Sequence, residues 1–274
     1  PNGNPFGTGT TNYGIDLTQV FFSAAVAKQY GNFSVGIAPI IALQIFDSDG
    51  LSGFGASNLQ EEAFGVAVRG GIEWAVMPNF RVAVAGVTPT YMQKFRGYEG
   101  FFAAGKGVLE IPATVQAGIA YDLMPNLTVM ADYKHIFYGS SKEISTSGSA
   151  VKYGFGWNDI DIYKFGLEWG VSSDLTLRAG YSYNTSPIKA DAVTFGTLAP
   201  GVVKHHITAG AQMKMTDTID LEVAGMYAPE ESVSGPVSFP GGFQPGWTVK
   251  DKMYQWELTA GIKWKLGQDE APLK

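Results

Sequence analysis

The chain contains no cysteine, which excludes disulfides, thiolate metal ligands and thiol nucleophiles. Charge is also scarce. Asp, Glu, Lys and Arg make up 16% of the residues, against about a quarter in an average soluble domain. Nowhere does the sequence offer the roughly 18 continuous apolar residues that a membrane-spanning helix requires. Its most apolar stretch, Phe33 to Phe46, is interrupted by Ser34, Pro39 and Gln44. No Lys/Arg-rich patch is present and the formal net charge is −6, so nucleic acid is not an expected partner. There is neither a Gly-x-Ser-x-Gly elbow nor a His-Glu-x-x-His run, and an enzyme is not expected. His205 and His206 are adjacent, so in a strand they point to opposite sides, and His135 lies elsewhere; no metal or cofactor site is expected. No signal peptide precedes the polar opening at Pro1, which reads as a mature form or an internal fragment.

What the sequence does have is 13% aromatic residues, 35 glycines and long stretches of strict alternation. Leu175, Leu177, Ala179, Tyr181 and Tyr183 share one face of a strand, opposite Thr176, Arg178, Gly180, Ser182 and Asn184. Tyr254, Trp256, Leu258, Ala260, Ile262, Trp264 and Leu266 do the same against Gln255, Glu257, Thr259, Lys263 and Lys265. The pattern recurs from Leu109 to Tyr121 and from Phe64 to Val76. Helical spacing fits none of these windows. The period predicts about eleven strands, near 19–29, 32–46, 61–77, 79–94, 108–122, 126–138, 159–171, 174–184, 202–215, 218–229 and 252–266. Several reach the ~9–11 residues that cross a tilted bilayer, longer than the ~5–6 usual in soluble sheets.

The connections alternate in length. Short turns fall at Tyr30-Gly31-Asn32, Met77-Pro78-Asn79, Met124-Pro125-Asn126, Ser172-Ser173-Asp174 and Thr216-Asp217-Thr218. Long loops cover 47–60, 95–107, 139–158, 185–201 and 230–251. One rim of tight turns and one of long loops is the plan of an outer-membrane barrel. Trp74, Tyr121, Tyr138, Trp169, Tyr183, Tyr227, Trp256 and Trp264 lie near strand ends, as an interfacial girdle would. The expected fold is therefore an all-β, transmembrane, antiparallel up-and-down barrel, one domain over 1–274 in a Gram-negative-type outer membrane. Eleven strands with ends on opposite sides cannot close an even-stranded barrel, so N-terminal material is expected to be missing.

Three segments then carry a family resemblance. They are Asn12-Tyr13-Gly14-Ile15-Asp16-Leu17-Thr18-Gln19 with Val35-Gly36-Ile37-Ala38-Pro39; Met124-Pro125-Asn126-Leu127-Thr128-Val129-Met130-Ala131-Asp132-Tyr133-Lys134; and Gly154-Phe155-Gly156-Trp157-Asn158-Asp159, running on to Tyr181. Gly201-Val202-Val203-Lys204-His205-His206 adds a fourth. The chain from about Asn12 to Leu266 resembles the FadL/TodX family of outer-membrane transporters of long-chain fatty acids and aromatic hydrocarbons. The resemblance implies a fourteen-stranded barrel, with a hatch and about three strands preceding Pro1. The polar tail Gly267 to Lys274 departs from family barrels, which end on an aromatic strand residue.

The resemblance implies passive uptake of a hydrophobic small molecule, with lipid around the wall. Loop aromatics are the expected capture surface: Phe95, Tyr98, Phe101 and Phe102 in one loop, Phe239, Phe243 and Trp247 in another. The plainer reading is that these rings pack on one another and cap the mouth. The inner face carries Arg69, Glu73, Arg81, Glu110, Asp132, Lys134, Lys164, Glu168, Arg178 and Glu222, as a polar lumen does. Arg69 and Arg178 are the candidate partners for a fatty-acid carboxylate. Met130, Ile136, Ile162 and Met226 supply apolar points along the path. Pro39 and Pro112 fall inside predicted strands and mark bulges or local openings. The residues alone leave open a general porin for small polar solutes, or a structural or adhesive barrel.

Overall fold

A computed structural model describes residues 13–146, 154–239 and 242–265, with only the backbone given at Phe239 and at 242–245. Thirteen strands form one antiparallel sheet: β1 (Gly14–Ser23), β2 (Val26–Tyr30), β3 (Phe33–Asp49), β4 (Glu61–Met77), β5 (Phe80–Val87), β6 (Tyr91–Met92), β7 (Thr114–Met124), β8 (Leu127–Ile136), β9 (Ile160–Gly170), β10 (Leu175–Asn184), β11 (His205–Lys214), β12 (Ile219–Phe239) and β13 (Gly242–Trp264). The hydrogen-bonded order is β1-β3-β4-β5-β7-β8-β9-β10-β11-β12-β13, with β2 beside β3 and β6 beside β4. Along this path each strand pairs with the next in sequence, the short β2 and β6 aside, which is the up-and-down plan, and the eleven positions match the eleven expected strands. No pairing joins β1 to β13 among the described residues. No described helix is long and apolar enough to cross a membrane, which says nothing of strands.

The alternation places side chains as the sequence implies. Leu258, Ile262, Trp256 and Trp264 on β13, and Phe64, Val66, Ile72 and Trp74 on β4, point outward and are exposed. In water such a belt would aggregate; facing hydrocarbon it is the required surface. Opposite them, Arg178 pairs in register with Glu168, Gly180 with Gly166 and Asp132 with Gly118, so small and polar groups face inward. Of the expected girdle, Trp74, Tyr121, Trp169, Tyr227, Trp256 and Trp264 lie exposed. Tyr138 does not belong to it, because it packs against the buried cluster at the mouth.

The short turns share one construction. Gly31 takes φ +62°, which a Cβ would disfavour, and so lets Tyr30 pair with Phe33. One carbonyl in each turn then accepts an N–H from the following hairpin or, at the last turn, from the end of β13. Ala75 donates to Asn32 at 2.8 Å, Asp122 to Asn79 at 2.9 Å, Gly170 to Asn126 at 2.8 Å, Lys214 to Asp174 at 2.8 Å and Lys265 to Thr218 at 2.9 Å. The side chains of Asn32 and Asn126 add bonds to the carbonyls of Ala75 and Gly170, at 3.1 and 3.0 Å. Five turns are thereby joined along one rim, which the family plan makes periplasmic.

Several boundaries differ from expectation. The first strand starts at Gly14 and breaks at Ala24-Ala25, opposite Ala38-Pro39, while β3 itself runs through Pro39 without interruption. The expected strand 79–94 divides into β5 and β6, with Pro89 in the gap. The strand expected at 108–122 begins only at Thr114, so Pro112 precedes it, and Leu109 and Ile111 turn inward instead of outward. The segment 230–251 is not a loop. It continues β12 and β13 as a ribbon paired from Glu231↔Met253 to Phe239↔Gly242, after a bulge that begins past Ala228. Leu266 and the tail 267–274 lie outside the described residues.

Candidate functional site

The mouth of the barrel is built around Phe46, which projects inward from β3 and has no exposed surface. Four rings from the 95–107 segment close on it. The ring-centroid distances from Phe46 are 5.7 Å to Phe95, 4.8 Å to Tyr98, 6.3 Å to Phe101 and 5.1 Å to Phe102. Fully burying each such side chain contributes about 1.5–3 kcal/mol, and edge-on ring pairs add about 0.5–1.5 kcal/mol. Polar bonds lock the segment to its neighbours: the Tyr98 hydroxyl donates to the Leu59 carbonyl at 2.7 Å, and the Gly97 N–H to Glu61 Oε1 at 2.7 Å. Gly55 and Gly100 meet so closely that a Cβ on Gly55 would lie 2.8 Å from the Gly100 Cα. That contact holds the 50–60 segment against the 95–107 segment.

Beside this plug lies a cavity of about 200 Å³. Ile15, Leu17 and Gln19 of β1 form one wall, with Phe46 and Phe102 next to them. Leu109, Glu110, Ile111 and Pro112 form a second wall. Tyr138, Ile144, Phe155, Trp157 and Ala199 close it from the later loops. Ile144 sits on α1 (Lys142–Ser145), whose Glu143 is buried and accepts the Glu110 N–H at Oε1, 2.6 Å away. Burial holds the Glu143 carboxyl above its ordinary range, opposed by the backbone donors, and the nearby Glu110 charge raises it further. Burial likewise pushes the Tyr138 phenol up. The cavity is thus apolar on most sides, with few polar atoms, as small-molecule sites are.

The expected site residues disperse over this arrangement. Phe95, Tyr98, Phe101 and Phe102 are brought together, but as a closed plug no more than 3% exposed, not as an open surface. Only Phe102 among them reaches the cavity. Trp247 stands on the β12–β13 ribbon and is exposed. The side chains of Phe239 and Phe243 lie outside the described ones. Arg178 is already engaged, its Nε donating to Glu168 at 2.7 Å and its other arm to Gln212 at 2.8 Å. Arg69 faces inward opposite Ala38 and has no ion pair among the described residues. The cavity-lining Ile15, Leu17, Tyr138, Ile144, Phe155, Trp157 and Ala199 were not anticipated. They come from separate stretches of chain, and only the family-like Asn12 to Gln19 and Gly154-Phe155-Gly156-Trp157 segments carried any local signal.

A β-wall with an apolar outer belt, a polar inner face and a loop-closed mouth defines an outer-membrane barrel. The profile of the family described as outer membrane protein transport protein (OMPP1/FadL/TodX) matches residues 60–235, and the chain belongs to that family. Solved structures share the fold at low identity. The Ralstonia pickettii toluene transporter TbuX aligns at 15% identity with TM-score 0.58, covering 92% of this chain and 68% of that one. A deletion mutant of the TodX monoaromatic hydrocarbon channel aligns at 15% with TM-score 0.68, covering 92% and 72%. A Pseudomonas aeruginosa FadL homologue aligns at 12% with TM-score 0.64, covering 91% and 68%. No curated protein sequence matches significantly.

Proposed function

We propose that this chain conducts hydrophobic molecules across the outer membrane, and that the mouth cavity is where they are first held. The observation that carries this reading is an apolar cavity of about 200 Å³ walled by rings and aliphatic side chains directly beneath the loops. A molecule moving into it from water gains about 25 cal/mol per Å² of apolar surface buried. Long-chain fatty acids and aromatic hydrocarbons are the two substrate classes in view. The cavity suits the second better, since apolar cavities of about 150 Å³ accept benzene, whereas a long acyl chain would have to extend into the lumen. Relatives whose names specify toluene and monoaromatic hydrocarbons support the same choice. Passage is downhill, driven by the concentration difference alone.

The test is uptake of radiolabelled toluene by a Gram-negative host that lacks hydrocarbon channels of its own and expresses this protein. Uptake is expected to rise above the empty-vector control and to fall roughly tenfold when Ala199→Phe fills the cavity. A folded barrel that leaves toluene uptake unchanged but passes small sugars would make the protein a general porin.

A further inference from the structure

We propose that Glu110 is a charge filter for the mouth cavity, its carboxylate turning away ionised ligands so that the site takes uncharged aromatic molecules and rejects carboxylates of the same shape. This rests on the transport reading above and names how that same site selects. Among the described residues, Glu110 is the one acidic residue lining the cavity, and no lysine or arginine lines it. Among the described residues Glu110 has no ion pair and no side-chain hydrogen bond. The local architecture is instead supported through the backbone, where the Glu110 N–H is held by Glu143 Oε1 at 2.6 Å. Glu143 is therefore a positioning residue: it fixes the wall segment from which the Glu110 side chain meets the cavity. Burial is the main cause that holds the neighbouring Glu143 carboxyl up, and the Glu110 charge acts on it in the same direction. A ligand carboxylate would meet the same repulsion, in surroundings of low polarity where like charges interact strongly.

The experiment compares 4-fluorotoluene with 4-fluorobenzoate, which are close in shape and differ in charge. Binding to the full chain in lipid nanodiscs is followed by fluorine NMR at neutral pH, with empty nanodiscs subtracted. 4-Fluorotoluene is expected to bind at least roughly tenfold more tightly than 4-fluorobenzoate. Glu110→Gln is expected to bring the two within roughly threefold by improving the benzoate alone. Raising salt from ~20 to ~500 mM should strengthen benzoate binding to the unaltered chain by screening the repulsion. That measurement needs no variant to fold. Equal binding of the two probes, or a preference that neither salt nor Glu110→Gln changes, would overturn the filter and leave the transport reading standing. Binding of neither probe would remove the cavity as a ligand site, and the filter with it.

Discussion

Phe46, Phe95, Tyr98 and Phe102 at the mouth, and Trp256, Leu258, Ile262 and Trp264 on β13, are drawn from the same apolar residue types. The first set is at most 2% exposed and the second 67–75% exposed. The difference lies in what completes each surface. At the mouth the chain supplies its own cover, folding the 50–60 and 95–107 segments over a ring that β3 points inward. On the wall the cover is the lipid, and the protein presents an outward apolar belt to it. Hydrophobicity alone therefore says that a residue seeks an apolar neighbour, not whether that neighbour is protein or membrane.

The comparison is broken most severely at its buried end. Phe46→Ala removes the ring that four others contact and should cost about 3–5 kcal/mol of loop stability. The expected result is rapid protease cleavage within 95–107 in a barrel whose wall still shifts on an unheated gel. Unchanged protection would mean that the plug is held by its polar bonds to Leu59 and Glu61 instead. On the lipid side, Leu258→Arg should destabilise reversible folding into bilayers by about 2–4 kcal/mol if Leu258 lies near the midplane. Thr259→Arg, one residue on and facing the lumen, should cost far less. Equal penalties would contradict the assignment of faces.

The smallest effect concerns Asp251, on the ribbon beyond the bulge and above the belt. It is buried, its Oδ2 has no hydrogen-bond partner among the described residues, and burial pushes its pKa up to about 6. An unfolded Asp ionises near 3.9. Below that value both states are protonated and there is no penalty. Between about 4 and 6 the unfolded chain loses its proton while the folded ribbon keeps it, so the ribbon weakens as pH rises, and above about 6 the penalty is constant. Asp251→Asn should abolish this slope in hydrogen exchange of the 230–251 backbone. A slope of the same size in the variant would assign it to another group.

The wall was legible because a membrane strand has two faces in different solvents, and Leu175 to Asn184 or Tyr254 to Trp264 record that in strict alternation. The ribbon was not, because beyond the bilayer no outward apolar row is needed. Ser232, Ser234, Pro236 and Gly235 therefore read as loop although their backbones are paired. The loop rings were recognisable as misplaced in water. Their destination depended on Phe46, whose inward position was implicit in the alternation of β3. The cavity was least legible, since Ile15, Leu109, Tyr138, Ile144 and Ala199 converge from distant stretches, and no local pattern announces a meeting of that kind. Tyr138 shows the confusion directly, since a tyrosine ending a strand suits an interfacial girdle and a pocket wall equally well.

The five linked turns have a mechanical consequence. Because each turn's carbonyl holds the next strand along the rim, tension applied at one hairpin is passed to its neighbour through short bonds perpendicular to the strands. Along the described sheet that rim behaves as a tied band, stiff from one turn to the next. The opposite rim carries the longer loops and the overhanging ribbon, and backbone ties there, such as Phe137 to Ala113 and Asn158 to Pro187, link loops of unequal length. The evenly tied band is thus the base on which the irregular loop end is carried.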